Sequence, residues 1–175
     1  VFGCSSSDEA DNDVRVVVEK YSKIPEAEPR LKSLLPRIIS TFGSNKSVKE
    51  VIKDLEAHQQ SGDALVAEWA KEAVEGLKKG SPFSLLVTQK HFSRVASAQG
   101  RPDSELSKLK GVMKAEYGMA LRASLRSDFA EGVRAVLVEK DGKPNWSPSW
   151  EEELSCGEVG AVFEPLSPQV GDLEV

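Results

Sequence analysis

The sequence predicts a mainly α-helical domain of about seven helices, and two observations carry that prediction. Apolar residues recur at spacings of three and four through most of the 175 residues. Helix-start and helix-stop chemistry falls where that periodicity begins and ends, at Ser47-Val-Lys-Glu50, Asp63, Gly80 and Ser81-Pro82. One run, VRVVV at 14–18, offers a strand as a competing reading, because β-branched residues favour extended chain.

Residues 1–12 are polar and Ser/Asp-rich and read as a loose tail or an interrupted loop. From Asp13 the pattern turns helical: Val14, Val17, Val18 and Tyr21 share one face, with Asn12 or Asp13 as N-cap, and the clean spacing out to Tyr21 favours helix over strand. Pro25 and Pro29 bracket a linker. Leu31 to Phe42 is a short amphipathic helix containing Pro36, ended by Gly43-Ser44-Asn45. Ser47 and Glu50 form a capping box ahead of the stripe Val48, Val51, Ile52 and Leu55, and Gly62 closes that segment. Asp63 caps a helix with Val66, Trp69, Ala70, Ala73 and Leu77 on one face and Gly80 as its stop. Ser81 as N-cap and Pro82 at the first helical position start the next, which carries Leu85, Leu86, Phe92 and Val95 towards Gly100. The longest helix is expected from Asp103 or Ser104, with Leu106, Leu109, Met113, Tyr117, Ala120 and Leu121 inward. Gly111 and Gly118 each cost that helix roughly 1 kcal/mol and are expected to permit close packing. Asp128-Phe-Ala-Glu131 reads as a second capping box, opening a helix through Val133, Leu137 and Val138 to Lys140. Asp141-Gly142 signals a turn, Pro144 to Trp150 an extended segment anchored by Trp146 and Trp150, and a last short helix is expected over Gly157 to Phe163.

Length suits one domain. A net charge of −5 without a basic block argues against nucleic-acid binding, which needs clustered Lys and Arg. No apolar run approaches the roughly 20 residues of a membrane-spanning helix. Two cysteines, Cys4 and Cys156, make no disulfide scaffold and suit a reducing compartment. The chain opens on Val1 rather than Met, without a charged or apolar leader, and is expected to be a processed product or a piece of something longer.

Chemistry-bearing patterns are few. His58 and His91 lie far apart without acidic or Cys partners at ligand spacing, so no metal site is expected; packed or solvated histidines are the commoner case. No phosphate-cradling glycine loop or nucleophile elbow occurs, and Ser5-Ser6-Ser7 belongs to the tail. Cys156 has no Lys, Arg or His within a turn to lower its pKa, and Glu151-Glu152-Glu153 reads as a solvated charge run. Arg134, Lys140 and Lys143 accompany Phe129 and Trp146, a pairing of cation with aromatic that suits a nucleotide-bearing cofactor; a capped helix followed by a packed turn is the competing reading.

Three patterns in order and at matching spacing point further: Ser81-Pro82-Phe83-Ser84-Leu85, Glu116-Tyr117, and the specific run from Asp128 through Glu131-Gly-Val-Arg134 and Lys140-Asp141 to Pro144 and Trp146. Together they resemble the C-terminal part of the 3-hydroxyisobutyryl-CoA hydrolases, of the crotonase (enoyl-CoA hydratase/isomerase) superfamily. SVKEVIKDLEAH at 47–58 and Phe163-Glu-Pro-Leu166 are similar to further segments of that family, so the resemblance covers about residues 13–166, followed by a tail over 167–175. The chain departs from the family pattern at SAQGRPDSE, 97–105, and at ELSCGEVGA, 153–161.

The resemblance implies the C-terminal helical region of an α/β crotonase fold whose core, of roughly equal size, is absent here. In the family that core holds the acyl-CoA, and two backbone N–H groups there stabilise the thioester oxyanion while acidic side chains assist hydrolysis. This sequence has no Gly-Gly-Gly stretch and no carboxylate in the matching motif, so no catalytic residue is assigned. The whole protein is expected to hydrolyse 3-hydroxyisobutyryl-CoA in valine breakdown, with acyl-CoA as substrate rather than cofactor, and these helices to cap and assemble the core. By analogy with the family, Phe129 and Lys140 are candidates for the edge of bound CoA, with packing of these side chains as the favoured alternative. An alternative is a non-enzymatic scaffold, such as a mitochondrial ribosomal small-subunit protein of the same family. The implied partners are the upstream core and a second copy, with no membrane, and with nucleic acid only indirectly through a mitoribosome; the implied location is the mitochondrial matrix. Trp69, Phe83, Phe92, Tyr117, Phe129, Trp146 and Trp150 are a large aromatic set for helices that lean on another domain, so the chain alone is expected to expose apolar surface and associate.

Overall fold

Helix-capping chemistry decides most of the architecture between Ser47 and Gly80. The computed structural model describes residues 7–23, 26–43, 46–150, 156–167, 169–171 and 173–174. Among them are eight α-helices and no strand: α1 (Ser7–Tyr21), α2 (Arg30–Phe42), α3 (Val48–His58), α4 (Ala64–Lys79), α5 (Pro82–Ala98), α6 (Leu109–Ser124), α7 (Ser127–Val133) and α8 (Cys156–Ala161). A 3₁₀ turn (Glu105–Ser107) precedes α6, and a π-helical segment (Arg134–Val138) continues α7. The chain divides into two compact units, Val1–Pro36 and Arg37–Val175.

In the first unit, α1 starts at Ser7, inside the stretch expected to be loose, and six residues ahead of the expected cap at Asp13. Ser-Asp-Glu is a good helix opening, a signal that polar composition hid in the sequence. The expected apolar stripe is on the helix but not in a core: Val14, Val17, Val18 and Tyr21 are 56–74% exposed. Pro36 lies inside α2, as expected.

In the second unit, the Ser47/Glu50 capping box forms with both reciprocal bonds, and Val48, Val51 and Leu55 go inward. Asp63 accepts from the Leu65 N–H, and α4 stops at Gly80. α3 and α4 pack through Val51, Leu55, Ala70 and Val74, with Trp69, Ala73 and Leu77 at the margin. α3 itself ends at His58, before Gly62. Phe42 and His58 both lean on the Trp69 ring, at 6.4 and 6.1 Å between centroids, so His58 is a packed histidine.

Ser81 and Pro82 open α5 as expected, yet the helix buries a different face: Phe83, Val87, His91 and Ala98 are inside, while Phe92 is 69% exposed. The second core joins Phe83 and Val87 to Val159 and Val162, with Leu86, Met119 and Phe163 around them. The helix expected from Asp103 begins only at Leu109, because Glu105–Ser107 closes as a 3₁₀ turn, and α5 outruns α6 by one residue. Leu109 and Met113 are exposed, and the residues α6 buries are Gly111 and Gly118. A Cβ on Gly111 would lie 2.0 Å from the Glu105 carbonyl oxygen, so the glycine lets the turn fold back against the helix. The last helix is Cys156–Ala161, shorter than expected.

Candidate functional site

Asp128 is the centre of a buried polar cluster. The spacing Asp128-x-x-Glu131 suggested a capping box, but α7 has Arg126 at its N-cap position and no side-chain cap bond. Both carboxylates are spent elsewhere. Asp128 is buried; its Oδ2 accepts from the Ser81 hydroxyl at 3.1 Å and its Oδ1 from the Ser147 N–H at 3.2 Å. Arg126 places an Nη2 3.7 Å from Asp128 and lays its guanidinium over the Phe83 ring, 3.5 Å from the centroid. Ser81 still caps α5 by accepting from the Ser84 N–H. One carboxylate therefore ties the start of α5, the start of α7 and the returning chain at 147 together, and both of its buried oxygens find a donor.

Glu131 does the same for the turn. It accepts two bonds from Arg134, at 2.8 and 2.7 Å, and one from the Asn145 N–H at 2.7 Å. Arg134 also donates to Glu139, to Asp141 at 2.8 Å and to the Lys143 carbonyl at 3.2 Å. The guanidinium and the Asn145 N–H hold the Glu131 carboxyl down at about 2, and Arg134 with the Lys143 N–H lowers that of Asp141. Gly142 takes a positive φ of 63°, as the Asp-Gly signal required, and Lys140 shares that left-handed region at 55°. The returning segment then docks both tryptophans on the end of α4: Trp146 Nε1 donates to the Lys79 carbonyl and Trp150 Nε1 to that of Lys78, each at 3.2 Å. The edge of Trp146 lies so close to α7 that a Cβ on Gly132 would be 3.2 Å from its Cη2.

These groups surround a cavity of about 440 Å³, with Ser81, Arg126 and Asp128 as its polar wall and Phe83, Phe129 and Trp146 among its apolar ones. Phe129, half-exposed, lines it; Lys140 is exposed and does not. Arg134 is occupied by three carboxylates, which removes it from the set of cations free for a phosphate. Chemically the cluster is a clasp: its one buried hydroxyl donates to a carboxylate already engaged by a backbone N–H.

His91 is buried, with Nε2 3.3 Å from Glu116 Oε1 and the ring stacked on Phe163. The Glu116 of the Glu-Tyr pattern thus joins α6 to α5. Among the described residues no three His, Cys, Asp or Glu side chains gather as a metal would require. Cys4, Ser5, Ser6 and Glu151–Glu153 lie outside the described residues, as does the Cys156 thiol. Sequence reasoning missed Arg126 altogether; its position two residues before Asp128 was the available signal.

A family model described as "Enoyl-CoA hydratase/isomerase" matches residues 4–163. The chain is 35% identical over 152 residues to the mitochondrial 3-hydroxyisobutyryl-CoA hydrolase of Dictyostelium discoideum, covering 87% of this chain and 36% of that protein. It is 28% identical to 3-hydroxyisobutyryl-CoA hydrolase-like protein 5 of Arabidopsis thaliana, covering 97% and 42%. The crystal structure of an enoyl-CoA hydratase from Rhodobacter sphaeroides superposes with a TM-score of 0.64 at 26% identity, over 97% of this chain and 45% of that one. The chain thus spans between 36% and 45% of the length of these proteins.

Proposed function

We propose, from the premise that this chain belongs to the enoyl-CoA hydratase/isomerase family, that it is the C-terminal helical part of a 3-hydroxyisobutyryl-CoA hydrolase and carries no catalytic group of its own. The observation that supports this reading is the mismatch in coverage: 87% of the chain aligns with the Dictyostelium hydrolase, yet only 36% of that hydrolase is matched. In this reading an upstream core binds the acyl-CoA and supplies the oxyanion-stabilising N–H groups for thioester hydrolysis in valine breakdown. The clasp around Asp128 and Glu131 sets the pitch of α7 and the π-helical segment, whose Phe129, Val136, Leu137 and Val138 are 55–70% exposed and form an apolar face for that core or a second copy. Phe129 and Lys140 lie at the CoA edge. The word "mitochondrial" in the names of relatives such as the Dictyostelium hydrolase supports a mitochondrial location, in the matrix where valine is degraded. No helix among the described residues is long and apolar enough to cross a membrane.

The test is the intact mass and activity of the product purified from its natural source with an antibody to this chain. The reading requires a mass of at least about twice 19.0 kDa and turnover of 3-hydroxyisobutyryl-CoA. A 19.0 kDa product without turnover overturns it in favour of a scaffold role. In the active protein, Phe129→Ala with Lys140→Ala should raise KM for the CoA ester and leave kcat unchanged.

A further inference from the structure

A separate cleft of about 320 Å³ lies along the C-terminal half of α5 and the turn that follows it. Three cations line it, Lys90, Arg94 and Arg101, and three hydroxyls, Ser93, Ser97 and Ser104; no lining residue is acidic. Lys90 with Arg94, and Ser93 with Ser97, are four residues apart and share a helix face. Gly100 then reverses the chain at a φ of 77°. The Arg101 N–H donates to the Ala98 carbonyl and the Ser104 N–H to that of Arg101, both at 3.0 Å, which brings the last two members back to the same side. Arg101 and Ser104 belong to the 97–105 stretch where the chain departs from the family pattern, so the resemblance says nothing about this cleft.

The cleft gathers three cations in a chain with 28 acids against 23 bases. Lys46, Arg126 and Arg134 are each taken up by a carboxylate. Among the described residues, none of the three cleft cations has a carboxylate within 4 Å. Lys90 and Arg94 rest instead on the Phe163 ring, 5.5 and 4.6 Å from its centroid. That contact orients both side chains and leaves their N–H donors unspent. Ser93 Oγ accepts from Gln89 Nε2 at 3.3 Å, so its own proton is free to donate. Converging like charges repel, and the repulsion is relieved by an anion that accepts several hydrogen bonds at once.

We propose that this cleft binds a phosphate dianion, free or as the monoester of a small molecule. Phosphate matches the guanidinium fork, offers acceptors to the serines and carries enough charge to offset the cluster. The volume sits at the low end of the roughly 300–1,000 Å³ of small-molecule sites, which admits a phosphate and a short body but not a whole nucleotide cofactor.

Isothermal titration of the 175-residue chain with inorganic phosphate and, separately, with glycerol 3-phosphate tests this at fixed ionic strength. Saturable binding of at least one is required, and the tighter of the two identifies the source. Arg94→Ala with Arg101→Ala should weaken it about tenfold or more, through loss of two charge-assisted contacts, whereas Lys71→Ala, at an exposed position of α4, should not. Ser97→Glu, an exposed helical position, supplies a carboxylate to the cleft and should abolish binding with the helical circular dichroism unchanged. Absence of saturable binding by both probes, or equal binding by the parent and Ser97→Glu, refutes the site.

Discussion

Replacing Asp128 by Ala separates two roles that the same carboxylate suggests. If Asp128 only capped α7, the loss would be about 1 kcal/mol, the usual value for an N-cap. The structure assigns it more. The carboxylate is 6% exposed, accepts from Ser81 Oγ and Ser147 N, and faces the Arg126 guanidinium at 3.7 Å. Hydrogen bonds to a charged group contribute about 1.5–3 kcal/mol each, and removal strands a hydroxyl and an N–H, with an arginine nearby. Allowing for non-additivity, Asp128→Ala should cost about 3–4 kcal/mol. With a urea m-value of about 2 kcal/mol/M for a chain of this size, the midpoint should fall by roughly 1.5–2 M at unchanged m. Asp128→Asn keeps one acceptor and should lose about half as much. In a double-mutant cycle, Ser81→Ala should cost only its α5 cap, about 1 kcal/mol, once Asp128 is gone. A midpoint shift of about 0.5 M or less for Asp128→Ala, with m unchanged, would refute the clasp and restore the simple cap.

Two further perturbations follow from the same geometry. The Glu131 carboxyl is held at about 2, below its ordinary 4.5, mainly by Arg134 and then by the Asn145 N–H. A depressed carboxylate contributes stability above its unfolded value and loses it as pH falls through the folded one. The urea midpoint should therefore decline between about pH 4.5 and pH 2, and Glu131→Gln should lower it at pH 7 while flattening that decline; an equal acid response in both proteins would exclude the Arg134 cluster as its source. Gly111→Ala drives a Cβ to 2.0 Å from the Glu105 carbonyl, so overpacking of about 1–3 kcal/mol should exceed the roughly 1 kcal/mol gained in helix propensity. Gly76→Ala, with nothing within 4 Å, should instead stabilise, and a gain at both glycines in thermal melts would contradict the packing of the 3₁₀ turn on α6.

What could be read from the sequence divides along a physical line. Local chemistry was readable: the caps at Ser47, Asp63 and Ser81 each use a side chain that bonds a backbone two or three residues away, and all three form. Partners distant in sequence were not. Asp128 and Glu131 have capping-box spacing, but the groups that claim them sit at Ser81, Ser147, Arg134 and Asn145. Periodicity likewise gives a face without saying what covers it. The valines of α1 hold the spacing of a buried stripe and are exposed, and on α5 the helix turns Phe83, Val87 and His91 inward and leaves Phe92 outside.

The same line bears on how far the family signature reaches. Asp128, Glu131, Arg134 and Trp146 are the residues that made the resemblance specific, and each is consumed by a bond that holds α7 and its return against α4 and α5. A signature built from such residues testifies to an architecture, because losing any one of them opens the clasp whatever chemistry the rest of the protein performs. It carries the fold of this chain to its relatives. The basic cleft beside α5 lies outside the clasp and is built partly from the 97–105 stretch, so the bonds that make the signature specific place no demand on it.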